Sequence, residues 1–243
     1  MSRIDGRQAN QLRKIHVTPD FMPNSDGSCL IEWGNTRILV TANASMGVPP
    51  FLDADKSGWL TAEYAMLPGS TQHRKQRERT KTDSRSVEIQ RLIGRSLRSV
   101  LDFSAFAGIT INIDADVIQA DGGTRTASIT GGFIALSLLF QKLLSEGKIQ
   151  KNPIRCFLAA TSCGIVEGEA RLDLCYQEDS RAEADMNFVG TEDGNICELQ
   201  ISGEKRPVTD AELAVLIALC KQGITQLIEM EKAILQGEHT YER

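Results

Sequence analysis

Residues 114–132 read Asp-Ala-Asp-Val-Ile-Gln-Ala-Asp-Gly-Gly-Thr-Arg-Thr-Ala-Ser-Ile-Thr-Gly-Gly, a β-rich run that stops at a double glycine before a helical one begins. Glycine permits a tight turn and close backbone approach, and a helix N-terminus presents free N–H groups carrying partial positive charge. Around Gly123, the hydroxyls of Thr124, Thr126 and Ser128 add donors. Arg125 adds a planar fork that matches phosphate oxygens. The chemistry this predicts is an oxyanion cradle; the plainer alternative is a capped helix with an exposed arginine. It is not a P-loop, because no G-x-x-x-x-G-K-[ST] occurs.

A second group, Glu178, Asp179, Glu183 and Asp185, places four carboxylates at a break between two β-rich runs. Such a cluster can hold a hard divalent cation, and Mg²⁺ uses one or two carboxylates together with substrate phosphate. Alternatively, one carboxyl donates a proton if its neighbours raise its pKa. A solvated acidic loop is the third reading, against which stands the apolar text on both sides. The third group is basic. From His73 to Arg98, Arg74, Lys75, Arg77, Arg79, Lys81, Arg85, Arg91, Arg95 and Arg98 face only Glu78, Asp83 and Glu88. This is a track for a phosphate backbone or else a solvated loop; it has no aromatic residue, so binding there would be backbone-driven and sequence-neutral. A phosphate cradle, an acidic site and a basic track together fit one reaction, in-line displacement at a phosphodiester by bound phosphate.

The rest of the composition narrows the possibilities. With three histidines far apart in sequence (His16, His73, His239), few candidates exist for His chemistry, and carboxylates and arginines are expected to carry any catalysis. The six cysteines form no C-x-x-C pair, which argues against structural zinc and a disulfide scaffold. The net charge of −5 opposes indiscriminate nucleic-acid binding but permits a local basic site. The N-terminus is polar and the longest nearly apolar run, 131–140, is too short to span a bilayer, so a cytoplasmic location without membrane contact is expected.

The elements that must position these groups follow from pattern. Residues 28–43 predict a hairpin about Gly34-Asn35, and 59–65 a further strand. Residues 70–86 predict a loop, and 87–101 a helix with Ile89, Leu92, Ile93, Leu97, Val100 and Leu101 on its apolar face. Alternation predicts a strand over 109–118, followed by an apolar helix over 126–144. Strand-like runs follow near 154–162, 170–177, 185–191 and 196–202. A last helix starts at Thr209, where Thr209 and Glu212 form a capping box. Strands followed by helices, twice over, predict an α+β fold of two similar βαβ-type halves sharing one core. The expected organisation is one domain over 1–243, with halves of about 1–150 and 151–243.

The sequence is similar to the ribonuclease PH family of bacterial phosphorolytic exoribonucleases over nearly its whole length. The matching motifs are Asp5-Gly6-Arg7-Gln8, Gly34-Asn35-Thr36, Glu88-Ile-Gln-Arg-Leu-Ile93, the run from Ile118 to Gly131, and Glu178-Asp-Ser with Ala184-Asp-Met-Asn187. The resemblance implies a fold shared with polynucleotide phosphorylase and the exosome ring proteins, and a homohexamer built as a trimer of dimers. It further implies phosphate held by Arg85, Gly123, Thr124 and Arg125, with Asp179 and Asp185 at the Mg²⁺ and acid site. Arg74 and Arg77, with Arg79 in the same basic segment, would serve RNA handling and ring contacts. The implied substrates are inorganic phosphate and the 3′ ends of tRNA precursors and other RNA; the implied products are nucleoside 5′-diphosphates. Two departures stand out: Met66-Leu-Pro-Gly69 where many relatives read Met-Leu-Pro-Arg, and a shorter stretch over 202–207. Relatives that serve as non-catalytic ring subunits lose the phosphate arginines or the acidic pair; this chain keeps both.

Overall fold

The computed structural model of the chain describes residues 3–77 and 83–237. Its first half holds β1 (Ile15–Pro19), β2 (Gly27–Trp33), β3 (Thr36–Met46), β4 (Trp59–Met66), α1 (Ser84–Arg98), β5 (Ile109–Gln119) and α2 (Thr124–Ser145). The second holds β6 (Leu158–Val166), β7 (Glu169–Leu172), the one-turn α3 (Tyr176–Asp179), β8 (Ala184–Thr191), β9 (Ile196–Gly203) and α4 (Asp210–Leu235). This is the α+β class expected. The strands form a five-stranded sheet, β1-β2-β3-β5-β4, and a four-stranded sheet, β7-β6-β8-β9. Among the described residues only β4 and β5 run parallel, joined through α1 as a β-α-β crossover; every other pair there is antiparallel.

Side-chain period explains each layer. On β5, Ile109, Ile111, Ile113, Ala115 and Val117 are buried while the residues between them are half-buried, the alternation of a sheet with one covered face. On α1, Ile89, Leu92, Ile93 and Leu97 form the buried stripe. The helix α2 is buried nearly all round, because β2, β3 and α1 pack on it from one half and β6 from the other. Gly27 and Gly131 allow this close approach. A Cβ on Gly27 would collide with the backbone of Ala135 and Leu139, and one on Gly131 would sit 3.0 Å from Val40. Thr130 ties α2 to β6 in both directions: its Oγ1 donates to Ala160 O at 3.2 Å and accepts from Ala160 N at 3.0 Å. The helix α4 covers β6, β7 and β8, started by the expected Thr209–Glu212 capping box. One contiguous apolar cluster draws on both sheets and all the long helices. By length and composition α2 and α4 could each cross a membrane, but α2 is the core helix between the two sheets.

Five elements differ from expectation. The helix expected over 87–101 lies at 84–98, starting inside the expected loop because Asp83 caps it there. The short β1 was not anticipated; it ends in Pro19 and pairs along β2 from Ile15↔Trp33 to Pro19↔Cys29. The strand expected at 154–162 lies at 158–166, since a strand buried on both faces lacks the alternation that fixes its ends. The run 170–177 is not one strand: β7 stops at Leu172, Asp173 turns with φ 54°, and α3 begins at Tyr176. The helix expected from 126 begins two residues earlier, at Thr124, directly after the double glycine.

Candidate active site

The turn between β5 and α2 requires its glycines. Gly122 and Gly123 have φ of 76° and 67°, where a side chain is strained. A Cβ on Gly122 would also lie 2.6 Å from Leu174 O, and one on Gly123 2.9 Å from Arg13 Nη2. No side chain caps α2, so its first-turn N–H groups are not taken up by a cap. They open onto a cleft of about 1820 Å³ whose wall includes Gly122, Gly123, Thr124 and Arg125. Arg85 reaches the same cleft from the first turn of α1, a helix capped by Asp83, whose side chain accepts from Arg85 N at 3.3 Å. Asp179, at the end of α3, and Asp185, on β8, form the opposite contribution from the second half. Six of the expected residues, distant in sequence, therefore share one cavity.

The electrostatics distinguish the two aspartates from ordinary surface carboxylates. Asp179 opens to solvent through the cleft, but the surrounding protein strips enough hydration to raise its pKa, against the pull of Arg125 and Arg85. Asp185 is also raised, first by burial and then by the charges of Asp179 and Glu204, with Arg125 opposing. Among the described residues its Oδ1 is buried without a hydrogen-bond partner, as is Ser162 Oγ on the neighbouring strand, and both residues line the cleft. Two repelling carboxylates with an orphaned oxygen fit a Mg²⁺ ion that takes its remaining ligands from water and substrate phosphate. Among the described residues no group of three or more His, Cys, Asp or Glu forms an all-protein metal cage.

Other expected residues are placed differently. Thr126 is buried and absent from the cleft wall; its Oγ1 donates to Gly123 O at 3.0 Å, fixing the turn from within. The hydroxyl of Thr124 accepts from Tyr64 OH at 3.0 Å, although the residue lines the cleft. Arg74 and Arg77 are exposed and outside the cleft wall, whereas Lys75, between them, belongs to it. Arg79 lies outside the described residues, together with Glu78, Lys81 and His239. Gly69, the departure from Met-Leu-Pro-Arg, stands in the cleft wall with no atom within 4 Å of a Cβ built on it.

The four-carboxylate cluster divides in two. Glu178 is buried and bound by Arg3, Nε to Oε1 at 2.8 Å and Nη2 to Oε2 at 2.6 Å, with Arg171 Nη1 at 3.4 Å. Glu183 accepts from Arg206 Nε at 2.9 Å and Gly168 N at 2.9 Å. Neither lines the cleft. Sequence reading also passed over the frame beneath the site. Buried Asp173 accepts from Arg13 Nη2 at 2.7 Å, Arg13 N at 2.7 Å and Trp33 Nε1 at 2.8 Å; burial pushes its carboxyl up, but Arg13 and the charge of Arg7 hold it below the ordinary range. Arg13 also donates to Asp121 O at 2.6 Å, which ties this network to the cradle turn. The only signal in the sequence was the Asp5-Gly6-Arg7-Gln8 motif, whose Arg7 Nη2 donates to Asp173 O at 3.1 Å, a partner 166 residues away.

Comparison with known proteins follows the same division of the chain. The 3′ exoribonuclease family, RNase PH type, matches through its domain 1 over residues 11–139 and its domain 2 over residues 156–235. The chain is similar to Ribonuclease PH of Solibacter usitatus (strain Ellin6076), 50% identical over 237 residues that cover 97% of this chain and 100% of the relative. It is 51% identical over 241 residues to Ribonuclease PH of Listeria welshimeri, covering 98% and 97%. Solved structures share the fold: rice (Oryza sativa) Rrp46 at TM-score 0.79 and 18% identity, covering 96% and 100% of the two chains. The Archaeoglobus fulgidus exosome with RNA bound to the active site superposes at TM-score 0.80 and 21% identity, covering 94% and 92%. With both of its domains matched in order and half of its residues shared with such relatives, this chain belongs to the RNase PH, or 3′ exoribonuclease, family.

Proposed function

We infer that the chain is a phosphate-dependent 3′→5′ exoribonuclease that trims the 3′ ends of tRNA precursors and other RNA and releases nucleoside 5′-diphosphates. One observation carries this reading: two arginines and a double-glycine helix start face two raised-pKa aspartates within one cleft. Inorganic phosphate is held by Arg85, Arg125 and the backbone from Gly123 to Thr124. One of its oxygens attacks the phosphorus of the last phosphodiester in line with the 3′-oxygen. The new P–O bond forms as the bond to the 3′-oxygen breaks, and that oxygen leaves with a proton as the new RNA end. Rate acceleration comes mainly from positioning and from cations placed where charge develops.

Asp179 and Asp185 orient the reacting end, and their raised pKa suits either of them to give the leaving oxygen its proton. Mg²⁺, held by the same two carboxylates, would supply charge neutralisation at the phosphate oxygens. RNA approaches over the basic segment of Arg74, Lys75 and Arg77, with Arg79 extending the track. Copies of that segment gather around a shared opening in a homohexamer, a trimer of dimers. The cradle comes from the first half and the aspartates from the second, which supports a single working unit over 1–243 with halves of about 1–150 and 151–243. The protein acts in the cytoplasm, without a membrane. The test incubates RNA with a single-stranded 3′ end, phosphate and Mg²⁺, and separates the products. Nucleoside diphosphates that appear only with phosphate support the reading. Monophosphates released by water would replace it with hydrolysis, and an inert protein that binds RNA would make it a non-catalytic subunit.

A further inference from the structure

The wall of the cleft carries an aromatic ring that the phosphate chemistry leaves unused. Tyr176, the first residue of α3, is 56% exposed, and it is the sole Phe, Tyr or Trp lining the cleft among the described residues. Its backbone is firmly held. Tyr176 N donates to Asp121 Oδ1 at 3.2 Å, and the same carboxylate accepts from Asn35 Nδ2 at 3.1 Å across the cleft floor. The peptide at Cys175–Tyr176 lies against the cradle itself: a Cβ built on Gly122 would be 2.9 Å from both Cys175 C and Tyr176 N. Behind it, buried Glu178 accepts from Cys175 N at 3.3 Å while Arg3 grips its carboxylate. Among the described residues, no hydrogen bond to the phenol and no aromatic or cation–π partner of the ring is present. A fixed backbone, an open ring and a phosphate cradle in direct contact describe half of a nucleotide site, in which only the base lacks a binding surface.

We propose that Tyr176 is the platform on which the base at the RNA 3′ end stacks while its phosphodiester lies over the cradle. This rests on the phosphorolytic reading above. Stacking suits that task because every base has a π-face, whereas hydrogen bonding to base edges would favour one base and stall trimming at the others. The basic segment, which has no aromatic residue, holds the backbone upstream; Tyr176 recognises that a nucleotide is present in the terminal position. Tyr176 is thus a substrate-binding residue, with no part in proton or phosphoryl transfer.

The experiment compares a short single-stranded RNA with the same RNA carrying an abasic 3′-terminal nucleotide, on wild type, Tyr176→Ala and Tyr176→Phe. Loss of the stack in Tyr176→Ala raises KM for the normal RNA roughly five- to hundredfold. The phosphate KM and kcat stay within about twofold, and Tyr176→Phe recovers most of the RNA KM. With the abasic RNA the wild type shows the same loss, and Tyr176→Ala adds nothing further. An unchanged RNA KM in Tyr176→Ala, or an equal penalty on both RNAs, overturns the proposal. Fluorescence anisotropy with the two labelled RNAs, in the absence of phosphate, gives the same comparison as binding. A wild type that releases no diphosphates sinks the phosphorolytic reading, while anisotropy still decides on Tyr176.

Discussion

Arg125 and Asp185 stand on opposite sides of the cleft chemistry, and substitutions separate their roles. Arg125→Ala abolishes phosphorolysis while RNA binding largely survives, because in the proposed site Arg125 serves the small nucleophile and RNA has other cations to meet. A lost charge-assisted donor costs about 1.5–3 kcal/mol, and more where the contact exists only in the transition state. Raised phosphate partly rescues Arg125→Lys; full activity of Arg125→Ala at low phosphate would remove it from the site. Asp185→Asn is nearly isosteric, so the fold and RNA affinity persist while turnover drops by orders of magnitude. The pair also sets the acid limit. Both carboxyls are raised above the ordinary aspartate value of 3.8, so protons remove their charge sooner as pH falls. Protons therefore compete with Mg²⁺ for the pair, so the Mg²⁺ concentration for half-maximal turnover rises as pH falls, and wild-type turnover in Asp185→Asn across pH and Mg²⁺ would take the pair out of the chemistry. At this scale the Gly-Gly-Thr-Arg run was readable, because turn, helix start and cation are sequence neighbours. The division of Glu178 and Glu183 from Asp179 and Asp185 was not, since it is fixed by Arg3 and Arg206, far away in sequence.

Between residue and molecule, the elements hold the site through buried charge. Glu178 anchors the N-terminal segment and α3 at once, so Glu178→Gln leaves Arg3 buried beside a neutral partner. Breaking such a pair costs about 3–5 kcal/mol; a denaturation midpoint equal to wild type would show that the segment is held by other means. On α4, Glu231 is fully buried with both oxygens unpartnered among the described residues, and burial raises its pKa well above 4.5, helped by Glu192 and opposed by Lys232. The folded state then binds this proton more tightly than the unfolded state. Stability is greatest below the unfolded pKa and is lost as pH rises from 4.5 towards the folded value. Glu231→Gln removes that slope, which urea melts at several pH values read directly. The amphipathic α1, the alternating β5 and the capped α4 were legible in the sequence, since local period and caps specify them. The ends of β6 and β7 were not, because tertiary burial and the Asp173 turn set them.

For the molecule as a whole, a net charge of −5 leaves RNA little to grip except the basic segment, whose field grows when copies meet around one opening. Exposed Arg74 and Arg77 are available for both ring contact and track. Reversing both, Arg74→Glu with Arg77→Glu, breaks the proposed hexamer and weakens binding to structured RNA, while phosphorolysis of a very short RNA falls less. A monomer by light scattering with full activity on a folded tRNA precursor would contradict the ring. In the proposed reaction phosphate, not water, attacks the RNA end, and its position in the product settles the matter. With radiolabelled inorganic phosphate and unlabelled RNA, the label must appear as the β-phosphate of released nucleoside diphosphates, one per nucleotide removed. Shortened RNA whose released nucleotides carry no label would contradict the account.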